Sequence, residues 1–153
     1  MTNQIDAIEL LLADHRTIGD YVERLEASDD PVEIGDLFVR IVDELAAHEA
    51  AEREVVYPAF SAALGAVDDT LEHRIGEHEE IDALLAEMRS LAPAGFGFTK
   101  RGSALLLEIT GHFEREEASV FGRMRAALNA DELGRLGSRV LETKQRVRAI
   151  AAG

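Results

Sequence analysis

Histidine recurs in this chain at positions that repeat one another, and no other feature limits the fold so tightly. Asp14-His15-Arg16-Thr17-Ile18 reappears as Glu77-His78-Glu79-Glu80-Ile81, an offset of 63 residues. The stretch from His48 to Pro58 reappears from His112 to Gly122, an offset of 64. Four of the five histidines thus hold matched places in two halves of one chain. A helix pair followed by a second, similar pair is what such a repeat describes.

The periodicity agrees. Ile5, Ile8, Leu11, Ile18, Val22 and Leu25 form one stripe at three- and four-residue spacing, and Leu105, Ile109, Phe113, Val120 and Met124 form another. Breaks fall at 28–31, at 65–69, at 93–97 and at 129–131, which predicts helices over roughly 3–27, 31–64, 68–91, 99–128 and 131–150. Asp30 before Pro31 reads as an N-cap, and Thr99 and Asp131 are the expected caps further on. Pro58 should bend the second helix near Glu54 without ending it. The expected architecture is all-α: an up-down-up-down four-helix bundle with a short C-terminal fifth helix packed across one end, one domain over 1–153.

Composition excludes several classes of function. A formal net charge of -14 repels phosphate backbones and anionic bilayers, so neither nucleic acid nor membrane is an expected partner. The absence of cysteine removes disulfides and thiolate metal sites, leaving nitrogen and oxygen ligands. No basic leader precedes the first apolar run and no apolar stretch is long enough to span a bilayer, so a cytoplasmic protein is expected.

On the second and fourth helices a glutamate follows histidine by four residues, one turn on along the same face: His48 with Glu52, and His112 with Glu116. An approximate two-fold relation between the halves brings these to the same depth as His15 and His78. Two inward carboxylates are costly to bury unpaired, and a metal removes that cost. Imidazole and carboxylate together suit iron or manganese better than zinc. A ferritin-like site is disfavoured, because it needs Glu three residues before His, and the chain has Leu12, Leu45, Thr70, Ile75 and Ile109 there.

At these residues the chain resembles the hemerythrin-like (HHE cation-binding) family, whose pattern is His, HxxxE, His, HxxxE on four successive helices. The likeness extends through Glu54-Val55-Val56-Tyr57-Pro58 and into Ala127-Leu128-Asn129-Ala130-Asp131-Glu132-Leu133. It implies a non-haem centre of two iron ions, bridged by Glu52, Glu116 and an oxo or hydroxo group, with His15, His48, His78 and His112 as terminal ligands. It also implies small-molecule partners: hydrogen peroxide, dioxygen or nitric oxide. Oxygen-carrying members have a second histidine four residues before the one matching His78; here Arg74 stands there, and His73 lies about 100° out of phase. Their final HxxxxD is replaced as well, with Glu116 fitting HxxxE better than Glu117 fits the longer spacing.

Around this set, Glu44 and Glu108 precede His48 and His112 by four residues and are candidates to accept imidazole N–H bonds. Glu49, Tyr57 and His73 are candidate extra ligands. The expected function is action on small oxidants, either catalase-like peroxide decomposition or nitric oxide binding and peroxidation. The alternative is non-enzymatic binding, storage or sensing of iron, dioxygen or nitric oxide.

Overall fold

The computed structural model describes residues 4–65 and 68–153. The first position of the helix expected from residue 3, and part of the break at 65–69, lie outside the described residues. The elements are α1 (Ala7–Ala27), α2 (Pro31–Ala51), a π-helical turn π1 (Glu52–Val56), α3 (Tyr57–Leu64), α4 (Thr70–Arg89), α5 (Phe96–Glu116), a second π-helical turn π2 (Glu117–Phe121), α6 (Gly122–Ala127) and α7 (Ala130–Ala152). The segments α2–π1–α3 and α5–π2–α6 each run on without a break in the backbone, so four long rods form the bundle. Among the described residues no helix is long and apolar enough to cross a membrane.

Helix starts follow local chemistry. Asp6 caps α1 by accepting from the Ile8 and Glu9 N–H groups, and Asp30 caps α2 with Pro31 in the first turn, as expected. The other two caps differ from expectation. Helix α5 begins after Gly95 and carries Thr99 inside its first turn. Helix α7 begins after Asn129, whose side chain accepts from the Glu132 N–H while Glu132 reaches back to the Asn129 N–H, a reciprocal pair that outcompetes Asp131.

The two π-turns correct the role assigned to Pro58. The turn at Glu52–Val56 does precede Pro58, but π2 occurs at the matching place in the other half, where Gly122 replaces the proline. The two halves share the turn and not the proline, so the turn belongs to the repeat.

Apolar residues form two clusters, with the histidines between them. Ile18, Ile41, Leu45, Ile81, Leu105 and Ile109 anchor one. Ile8, Leu11, Val56, Phe60, Val120 and Met124 anchor the other, which also takes in Leu133, Leu136 and Val140 of α7. Helix α7 has 23 residues, slightly more than the 21 of α1 and the 20 of α4, and it lies along α1 and α2 instead of across one end. Its residues meet the α1 side in rising order (Gly137 against Ile5 and Ala7, Lys144 on Asp14) and the second rod in falling order (Arg146 on Glu54, Arg148 on Glu44), so it runs parallel to one and antiparallel to the other. Close approach near its start requires glycine: a Cβ on Gly137 would stand 1.8 Å from the Ile5 carbonyl oxygen.

Candidate metal centre

Four histidines and two glutamates converge where the two halves meet. His15 comes from α1, His48 from α2, Glu52 from the first residue of π1, His78 from α4, and His112 and Glu116 from α5. Their exposures are 6%, 0%, 0%, 2%, 1% and 0% in that order, so His15 is the member nearest the surface. The donor atoms fall into two overlapping groups, His15–His48–Glu52–Glu116 and Glu52–His78–His112–Glu116, each with its atoms within 4.8 Å of one another. Both glutamates belong to both groups.

The donor set is aimed inward and under-satisfied. The His48 Nε2 atom stands 3.2 Å from Glu52 Oε1 and His78 Nε2 3.1 Å from the same oxygen, yet His48 Nε2 and both Glu52 oxygens lack an aligned hydrogen bond. His78 Nε2 and His112 Nε2 face each other at 3.1 Å. Buried polar atoms without partners cost about 1–3 kcal/mol each, and a cation between them would satisfy all of them together. The donor set fits a metal.

Charge leads to the same conclusion. Burial, together with the Glu52 charge beside it, pushes the Glu116 carboxyl well above the usual range. Burial also opposes the Glu52 charge, but His48 and bonds from Glu116, His48 and His78 outweigh it and hold Glu52 well below that range. Burial, with His48 next to it, lowers His15 to about 2, so its imidazole is neutral and its nitrogen lone pair available. Two carboxylates this close cannot both stay charged without a cation.

Three of the four histidines are oriented from behind, by acids other than the expected Glu44 and Glu108, while His78 Nδ1 has no partner among the described residues. Asp14 Oδ2 accepts from His48 Nδ1 at 2.9 Å, and Glu77 Oε1 accepts from His112 Nδ1 at 2.8 Å. Glu117 Oε2 accepts from His15 Nδ1 at 2.9 Å. A carboxylate only accepts, so Nδ1 carries the proton and Nε2 presents its lone pair to the centre. Glu44 instead pairs with Arg148 at 2.9 Å on the flank of the bundle, and Glu108 makes no hydrogen bond to a site histidine among the described residues. The reason is directional: a residue four back stacks above its histidine on one helix, whereas Nδ1 points sideways at the neighbouring helix. The signal for the true acids lay in the repeat itself, because Asp14 and Glu77 each directly precede a matched histidine.

The remaining candidates separate clearly. His73 is 64% exposed in its side chain and sits 3.5 Å from Asp69, away from the centre. Glu49 is buried but lies outside both donor groups; burial and the neighbouring Asp82 push its carboxyl up to about 8, and Arg53 approaches it at 3.4 Å. Tyr57 does reach the centre: its hydroxyl donates to Glu116 Oε2 and lies 3.3 Å from His78 Nε2. Burial, then the charges of Glu52 and Glu116, push its ionisation far up, so it is held as a neutral donor. Its place depends on π1. Five α-helical residues would turn it about 140° from Glu52, but in π1 the Tyr57 N–H bonds back to the Glu52 carbonyl, which winds the two onto one side.

The sequence model of the hemerythrin HHE cation binding domain matches residues 6–124. The chain belongs to the hemerythrin HHE cation-binding domain family. Its match ends inside α6, so α7 lies beyond it. The crystal structure of a hemerythrin HHE cation binding domain-containing protein from Mycobacterium kansasii superposes with a TM-score of 0.84 over 97% of this chain and 90% of that one, at 21% identity, which establishes the shared fold. A DNA nickase of Nostoc sp. is 25% identical over 145 residues, and this chain spans 41% of that protein's length. The family is named for cation binding, and the His/Glu cluster groups donors that could hold a metal ion.

Proposed function

We propose that residues 1–153 form one hemerythrin-like domain whose His15, His48, Glu52, His78, His112 and Glu116 hold two iron ions, acting on small oxidants such as hydrogen peroxide or nitric oxide. The observation that carries this reading is the sharing of Glu52 and Glu116 by two four-donor groups, so that both carboxylates would serve two ions. Nitrogen and oxygen donors without sulfur suit iron. When bound, such a pair supplies redox chemistry and polarises a small ligand.

The protein's own part is orientation, exclusion and proton supply. Asp14, Glu77 and Glu117 fix three imidazoles. Tyr57 holds a proton at Glu116 Oε2, inside the centre. A groove of about 250 Å³ between α1 and α5 has His15, Leu12, Gly19, Ile109 and Phe113 in its lining, with the charged Arg16 and Glu117 beside them. Its size suits small molecules and excludes bulky ones. A nicking activity is not part of this reading, since a chain of net charge -14 repels a phosphate backbone.

The test is metal content and optical spectrum of protein purified without added metal, followed by peroxide and nitric oxide kinetics. Near two irons per chain with rapid peroxide consumption is the expected result. Two irons without turnover of either oxidant would leave storage or sensing as the function. Folded protein that takes up no iron(II) would overturn the reading.

A further inference from the structure

The acids behind the histidines are themselves held, and the two halves do this with different parts. Glu77 receives Arg74 at 2.7 Å and the Arg115 guanidinium, both from the bundle itself. Asp14 receives only Lys144 among the described cations, and Lys144 comes from α7, 130 residues away. The repeat shows why. At offsets of 63 and 64, the positions matching Arg74 and Arg115 are Leu11 and Ala51, both fully buried against the apolar cluster that α7 completes. The first half lacks the two arginines that hold the acid of the second.

Lys144 is 5% exposed. Burying an ammonium is expensive unless it is paired, and docking alone would be served better by an apolar residue, as at Leu133, Leu136 and Val140 on the same helix. Its ammonium bonds Asp14 Oδ1, while the other oxygen of that carboxylate holds His48 Nδ1. Two bonds therefore connect α7 to a candidate ligand.

We propose that α7, which lies beyond the family match, is a working part of the metal centre: Lys144 is a positioning residue that fixes Asp14, and through it the coordinating face of His48. The inference rests on the metal-binding reading above. It follows that α7 docking and metal occupancy stabilise each other, since whatever binds only the docked state favours it.

The test compares full-length iron-loaded Lys144→Met with Val140→Ala, which loosens the same helix without touching Asp14. Release of iron to an excess of chelator and the melting temperatures of loaded and metal-free protein are read for both. Lys144→Met should release iron roughly 10–100-fold faster and lose more melting temperature when loaded than when metal-free. Val140→Ala should lower both melting temperatures and speed release far less than Lys144→Met, and Lys144→Arg should stay near wild type. In an Asp14→Asn background the Lys144→Met change should add less than twofold. Should Lys144→Met not fold, Lys144→Gln carries the same comparison. Release within twofold of wild type, or equal acceleration by Val140→Ala, would overturn the inference while leaving the metal reading intact. A wild-type chain that binds no iron would overturn the metal reading first.

Discussion

The two halves of the centre descend from one pattern and differ in what surrounds it. Around His15 the aromatic neighbours are apolar: Phe113 stacks on it with ring centres 3.8 Å apart and Phe121 lies at 5.4 Å. Around His78 and His112 the position matching Phe121 is Tyr57, whose hydroxyl reaches His78 and Glu116. One half opens to a groove and its supporting cation comes from α7; the other is covered by a phenol and braced by Arg74 and Arg115. Two metals held here would therefore be unlike in polarity and access despite having similar donors. Symmetry of ligands does not give symmetry of environment.

The largest expected effect removes the comparison altogether. Glu52→Ala deletes a donor common to both groups and should abolish binding of both metals, with loss of the metal-linked gain in melting temperature; metal analysis and calorimetry check it. His48→Ala against His112→Ala sharpens it, because each belongs to one group only, and each should lower metal content from near two per chain toward one.

Next come the supporting acids. Glu77→Gln and Asp14→Asn should each accelerate metal release roughly 10–100-fold. Burial opposes the charge on both acids, but His48 and Lys144 on one side, and His112, Arg115 and Arg74 on the other, hold both carboxyls below their ordinary range. The stability they contribute is present above the ordinary carboxylate range and is lost as pH falls through the lowered values. Each substitution should flatten that acid limb, as followed by circular dichroism.

Smaller still is the effect of access. Gly19 lies inside α1, where glycine costs about 0.5–1 kcal/mol relative to alanine, yet nothing lies within 4 Å of where its Cβ would be. Gly19→Leu should fill the groove, leave metal content unchanged and slow the reaction with peroxide severalfold; unchanged rates would mean entry through the Tyr57 side. Glu44→Ala and Glu108→Ala should do least, within about 0.5 kcal/mol of wild-type stability and with unchanged metal content.

The six central side chains were legible because spacing on a helix is a geometric statement: His48 and Glu52 share a face whatever else the chain does. Asp14 and Glu77 were half-legible, visible in the repeat but unread, since their role depends on which way an imidazole turns toward its neighbour. Lys144 carried no signal, because nothing local relates it to Asp14 across the length of the chain. The α7 orientation was hidden for the same reason. Tyr57 was singled out, but its reach depends on π1, which neither propensity nor periodicity announces.

Those π-turns have a cost that can be located. Glu52 and Glu117 each open a five-residue stretch in which the backbone gives up regular i to i+4 bonding, a local preference surrendered so that Tyr57 and Phe121 face the centre. Deleting one residue from either stretch would restore an ordinary helix and swing the rest of that rod through most of a third of a revolution. At these two places a more regular helix and the present aim of Tyr57 and Phe121 at the histidines exclude one another.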